Sequence, residues 1–162
     1  MPQKVARVHE LLAPLIDEEM NDLHVWVANA DAGDAVVQLH SRLTDRGLLG
    51  GDPEPLTVDR MAEAYLRSAS ADEVLPIMLH CCTRDLAWDH IRGPWTEDHA
   101  RPVLSELVEL LGPGARWLTN VTIYGNGAFG YESIAGHDLN NFVVLGAADD
   151  IVVGILRVAE IP

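Results

Sequence analysis

Residues 151–158 are apolar on both sides of a two-residue alternation, and this constrains the fold more than any other feature of the chain. Ile151, Val153 and Ile155 fall on one face of a strand, and Val152, Leu156 and Val158 on the other. Phe142 and Val144 oppose Val143 and Leu145 in the same way. An antiparallel sheet wetted on one side alternates apolar with polar residues. This pattern instead predicts a sheet covered on both faces. Helices cover one. The other needs residues 23–27, a further helix, or a second copy of the chain. Burial within one chain is the favoured outcome, because several helical segments are available. Homodimerisation through the sheet is the alternative.

The strands form a C-terminal block. Residues 117–124 alternate with a period of two, Asn126-Gly127 is a hairpin signal, and residues 128–134 return. Residues 141–146 make a third strand, and Asp149-Asp150 turns the chain into a fourth at 151–158. The expectation is a four-stranded antiparallel meander over 115–162. Gly112-Pro113-Gly114 separates it from a helical block over 1–114.

In that block Val5, Val8, Leu11, Leu12, Leu15 and Ile16 recur at helical spacing, and Pro14 predicts a kink or two short helices. Asp31 or Gly33 opens a second helix carrying Val36, Val37, Leu39 and Leu43, which Gly47 stops. Residues 50–55 read as an internal loop. Thr57 caps a helix with Val58, Met61, Ala62, Tyr65 and Leu66 on one face. Ser70-Ala71-Asp72-Glu73 matches a capping box. The helix after it, its start delayed by Pro76, runs through Ile77, Met78, Cys81, Cys82, Leu86 and Trp88 toward Ile91. A last helix holds Val103, Leu104, Leu107, Val108 and Leu111. Residues 23–27 fit a short strand or a helix end. The predicted fold is one α+β domain over 1–162, with N-terminal helices packed on the C-terminal meander.

Charge sets the function classes. The chain has 162 residues, 11 Lys+Arg and 25 Asp+Glu, a net charge of −14. Nine of the cations and 20 of the acids lie in residues 1–114. Such a field repels phosphate backbones and anionic membrane surfaces, which argues against nucleic acid and membrane as partners. It attracts a basic protein and speeds encounter with it; solubility alone also accounts for it. Lys4 is the only lysine among these cations, a coding bias that fits a GC-rich bacterial genome. No apolar run reaches the ~18 residues of a membrane span, and no export signal is apparent. With adjacent Cys81 and Cys82 and no C-x-x-C spacing, a reducing cytoplasm is expected. Both thiols read as buried and inert.

Candidate sites are sparse. Asp85 and Asp89 stand four apart, on one face if the segment is helical, with His90 beside them and Glu97, Asp98 and His99 after Gly93-Pro94. Together they would suit a metal or an acid–base pair; a solvated helix face with a charged loop explains the same residues and is the favoured reading, so neither a metal nor a cofactor is predicted. His137 beside Asp138 is a second weak catalytic candidate, set against an ordinary turn. Tyr124, Phe129 and Tyr131 around the hairpin could present an aromatic edge or pack across strands. Trp88, Trp95 and Trp117 could line a pocket, although a core edge is the default for each.

The leading expectation is a small acidic protein that inhibits or regulates a basic partner, in the style of immunity proteins and antitoxins. Its contact residues would be Asp85, Asp89, Glu97, Asp98, Tyr124, Phe129 and Tyr131, with Asp17, Glu18 and Glu19 adding to the field. The alternative is a small enzyme or ligand binder with a pocket between sheet and helices. A structural subunit of a larger complex is a third option.

Overall fold

Two long strands, β6 (Leu139–Ala148) and β7 (Ile151–Glu160), pair along their whole length and form the spine of the molecule. Asp149, at φ 51°, makes the tight turn between them. The computed structural model describes residues 2–17, 22–32, 34–51, 54–136 and 139–160. Around the spine lies a five-stranded, fully antiparallel sheet in the order β1-β7-β6-β3-β2. Its outer members are β1 (Leu23–Asn29), β2 (Arg67–Ala69) and β3 (Arg116–Thr119). The expected C-terminal meander is therefore corrected. Two strands come from the first half of the chain, and residues 117–124 split between two sheets. The ambiguous 23–27 segment is an edge strand, because its Val25 and Trp26 each complete the core on a different face.

The split falls at Asn120, where the expected strand breaks into β3 and β4 (Val121–Ile123). Asn120 is buried and acts as a bracket. Its amide donates to the Glu132 carbonyl and the Asn141 carbonyl at 2.9 Å, and its Oδ1 accepts from Val143 N at 2.9 Å. Asn141 Oδ1 accepts from Ile134 N at 3.0 Å, and Asn141 Nδ2 reaches Ser133 Oγ at 2.9 Å. Thr119 Oγ1 donates to the Val143 carbonyl at 2.6 Å. These side chains replace ladder bonds, which is how buried polar groups are tolerated. They turn β4 and β5 (Phe129–Tyr131) into a separate two-stranded hairpin, closed by the turn at Asn126-Gly127.

Both faces of the main sheet are covered by helices of the same chain. On the first face, α1 (Pro2–Asp17), α4 (Ala71–Thr83) and α5 (Glu97–Leu111) pack on Val25, Trp117, Phe142, Val144, Ile151, Val153 and Ile155. On the second, α2 (Ala35–Asp45) and the short α3 (Val58–Arg60), which continues as a π-turn over Met61–Tyr65, cover Trp26, Val143, Leu145, Val152, Leu156 and Val158.

Two helix starts follow their sequence signals: Thr57 accepts from Arg60 N and Ser70 from Glu73 N, each satisfying an orphan donor. Helix α5 is capped in the same way by Thr96, which accepts from His99 N and which the sequence reading did not single out. The cap of α2 is Asp34, whose Oδ1 accepts from Val37 N, and not Asp31, which lies in a 3₁₀ turn. Gly47 follows α2 at φ 68°, the left-handed conformation expected there. Pro14 sits in the last turn of α1, and one helix runs over Pro2–Asp17 where a kink or two short helices were expected. Pro76 lies inside α4 and does not delay its start.

Candidate functional site

The expected long helix through Ile91 ends at Thr83 instead. The cause is Asp85. Its carboxylate accepts from Ala87 N at 2.9 Å, Trp88 N at 2.6 Å and His90 N at 3.1 Å, an alternative to helical bonding. Partial burial raises the Asp85 carboxyl, but the bonds from Trp88, His90 and Ala87 outweigh it and hold it below the usual carboxylate range. The loop closes where Arg84 and Ile91 form an isolated bridge and Arg92 N donates to the Thr83 carbonyl at 2.8 Å. Asp89 adopts φ 57°, a conformation that Asp tolerates better than most residues. Arg84 donates to its carbonyl at 2.8 Å. Asp85 and Asp89 therefore share a tight loop and not a helix face.

Behind the loop lies a buried cation. Arg157, fully buried on β7, donates to the Cys81 carbonyl at 2.7 Å and to Asp22 at 3.0 Å. Asp22 also pairs with Arg92 at 2.9 Å, so one carboxylate ties the loop to the sheet.

Between the loop and the β4–β5 hairpin is an open cleft of about 520 Å³. Its lining is His80, Asp85, Leu86, Asp89, Gly127, Phe129, Tyr131, Asn140 and Phe142. Phe129, Tyr131 and His80 all meet the Phe142 ring at centroid distances of 5.6–5.8 Å. His80 also stands edge-on to Phe129 at 5.3 Å. Tyr131 donates to Asn140 Oδ1 at 2.6 Å, and Asn140 Nδ2 donates to the Leu86 carbonyl at 3.0 Å, which joins hairpin, sheet and loop. His80 Nε2 lies 3.6 Å from Asp89 Oδ1. Burial pushes the His80 imidazole below its ordinary value; the neighbouring Asp89 opposes this, and Arg84 and Arg157 add to it. His80 is thus neutral near neutrality, beside an exposed carboxylate and an aromatic wall.

The cleft unites four of the expected contact residues: Asp85, Asp89, Phe129 and Tyr131. Tyr124 projects from the same hairpin and is 55% exposed. Glu97 and Asp98 stand apart, exposed in the first turn of α5. His99 packs edge-on against Trp95 at 5.3 Å, and His90 is held by its backbone at the loop, so these histidines do not meet. His137, Asp138, Glu18 and Glu19 lie outside the described residues. Among the described residues no group of three or more His, Cys, Asp or Glu could hold a metal ion. Trp88, Trp95 and Trp117 form no common pocket: Trp95 and Trp117 are buried in the core, and Trp88 is 66% exposed. Cys81 and Cys82 are free and buried; desolvation pushes the Cys81 thiol up to about 12 and Cys82 in the same direction.

His80, Asn140 and Phe142 are the residues that sequence reasoning missed. A strand alternation does place Asn140 and Phe142 on one face, as it does Phe129 and Tyr131. Nothing local joins the two pairs, because the Asn120 bracket brings them together across the fold. Among the described residues no helix is long and apolar enough to cross a membrane. No protein-family model matches this chain, and no curated protein or solved structure matches it significantly.

Proposed function

We propose that this chain is a small acidic binding protein that inhibits or regulates a basic protein partner, which docks on the face built by the 84–92 loop and the β4–β5 hairpin. One observation carries the reading. Among the described residues five large apolar side chains are exposed, and three of them, Trp88, Ile91 and Tyr124, project from the two segments that flank the cleft. Exposed aromatics on a rigid frame are the usual anchors of an interface. The loop is rigid because Asp85, Arg84 and the Arg157–Asp22–Arg92 chain hold it. An anchor presented this way loses little conformational freedom on docking.

The cleft between the anchors suits a cationic side chain. Phe129, Tyr131 and Phe142 offer ring faces and edges, and Asp89 a carboxylate that is 70% exposed. The net charge of −14 steers such a partner toward the surface. The free thiols suit a reducing cytoplasm, the compartment this reading assigns.

The test is a titration of isotopically labelled protein with a short arginine-rich peptide and with its glutamate counterpart. The arginine peptide is expected to shift Phe129, Tyr131, Asp89 and the Trp88 indole, and to weaken as salt rises past about 0.15 M, where screening acts within about 8 Å. The glutamate peptide leaves them unmoved. Shifts scattered over the surface acids with the cleft silent would reject this docking face.

A further inference from the structure

The second face of the sheet carries a cavity that the partner reading does not use. α2 and the α3 segment touch, but beside the β6–β7 turn they leave a slot of about 290 Å³ over the sheet. Its floor is the sheet itself: Leu118 on β3, Leu145 and Ala147 on β6, and Val152 on β7. Val36 and Ala35 of α2 form one wall, and Val58 and Ala62 of the α3 segment form the other.

The charged groups at this slot are unequal. Asp34, Asp59 and Asp149 line it against a single cation, Arg116. Asp34 caps α2 through one oxygen, and Asp149 pairs with Lys4 at 3.2 Å. Among the described residues Asp59 and Arg116 make no side-chain hydrogen bond or ion pair. An apolar interior with an acidic mouth complements a molecule that is apolar at one end and cationic at the other. An engineered cavity of ~150 Å³ takes one benzene, so a slot of about 290 Å³ has room for a ring and a short tail.

We propose that this slot is a binding site for small primary amines carried on an apolar body, the body seated on Leu118, Leu145 and Val152 and the ammonium among Asp34, Asp59 and Asp149. The site lies on the opposite face of the sheet from the loop–hairpin cleft and is independent of the protein-partner reading.

Phenylethylamine, phenylethanol, phenylacetate and phenylalanine separate the contributions. Each is titrated into methyl-labelled protein while the methyls of Val36, Leu118, Leu145 and Val152 are followed. The amine is expected to shift all four and to bind about two- to fivefold more tightly than the alcohol, the range for a solvent-exposed ion pair. The acid binds most weakly. Asp59→Asn should remove most of the amine's advantage over the alcohol, Asp34 and Asp149 being already engaged, without changing the alcohol. Ala62→Leu, at an exposed wall position, should fill the slot and weaken amine and alcohol alike. If Ala62→Leu fails to fold, Asp59→Asn, an exposed polar change, still decides the matter. The proposal is overturned if the amine leaves these methyls unmoved, or if its shifts map to the Phe129–Tyr131 cleft. It is also overturned if acid or alcohol binds as well as the amine. Tighter binding of phenylalanine would overturn it too, making Arg116 a partner and the ligand a zwitterion.

Discussion

The two faces of the sheet are both buried, but by unequal cover. On the first face three helices of 16, 13 and 15 residues pack on the strands. On the second, one helix of 11 residues and a three-residue helix with its π-turn have to suffice. The thicker layer closes over its strands except at one end, where α4 stops and the 84–92 loop turns away. The thinner layer leaves a slot beside the β6–β7 turn, at one end of the sheet. Cavity position in this molecule therefore follows from helix length and helix ending, since close packing fails where an element runs out.

One device is shared by both faces. Trp26 pairs with Gly154 across β1 and β7, and Trp117 pairs with Gly146 across β3 and β6. Trp26 belongs to the second face and Trp117 to the first. In each case a Cβ on the glycine would collide with the indole ring. A large ring lies flat over the bare backbone opposite it, which recovers the packing that glycine lacks. On the second face Arg42 stacks on the outer side of Trp26 at 4.7 Å, so that ring is held from both sides.

The sharpest test of two-sided cover is a pair of truncations. Ile155 and Leu156 are neighbours that point in opposite directions and are 0% and 2% exposed. Ile155→Ala and Leu156→Ala should each cost about 2–5 kcal/mol, measured by denaturant unfolding. A nearly silent Leu156→Ala would mean that the thinner layer does not seal its face. A loss that depends on protein concentration for one variant alone would show that a second copy covers that face.

The glycine pair asks which layer yields more easily. Gly154→Ala and Gly146→Ala should each cost roughly 1–3 kcal/mol by overpacking. Gly154→Ala should be the worse, because Arg42 blocks the retreat of Trp26. Adding Arg42→Ala should then recover part of that loss in a double-mutant cycle and leave Gly146→Ala unchanged. Equal costs with no coupling would remove the asymmetry.

The smallest effects are pH-dependent and belong to the open end of the first face. Burial lowers His80 below its ordinary 6.5, so above that value the imidazole is neutral whether the chain is folded or not. As pH falls from there the unfolded chain takes up the proton first, and stability declines until the folded His80 also titrates. Asp85 is depressed below its ordinary 3.8 by its backbone bonds, which outweigh its partial burial. Its contribution is present above that value and is lost as pH falls through the folded value. His80→Asn should flatten the first slope and Asp85→Asn the second, in stability measured against pH. An unchanged profile for either variant would remove that residue from the account.

Capping and strand patterning were open to direct reading because they are local. Ser70 and Thr57 each bond a backbone N–H three residues on, and no distant contact is needed to satisfy it. The alternation through Phe142–Leu145 and Ile151–Leu156 likewise carries its own meaning, for a strand with two apolar faces has no stable exposed orientation. From that pattern alone a doubly covered sheet follows.

Tertiary contacts decided the rest. The chain leaves the main sheet at Asn120 because that amide finds Glu132, Asn141 and Val143, partners 12 to 23 residues away. Helix α4 stops short because Asp85 captures backbone donors and the Arg157–Asp22–Arg92 chain, which spans 135 positions, anchors the loop that results. Residues 23–27 became a strand because β7 had an open edge to pair. The cleft is the product of the first two: Asp85 acts locally, on donors two to five residues on, whereas the partners of Asn120 and the Arg157–Asp22–Arg92 chain leave no local trace in the sequence. A side chain's own pattern records which way it faces; the free energy that chooses its partner is gained only once distant segments meet and exclude water.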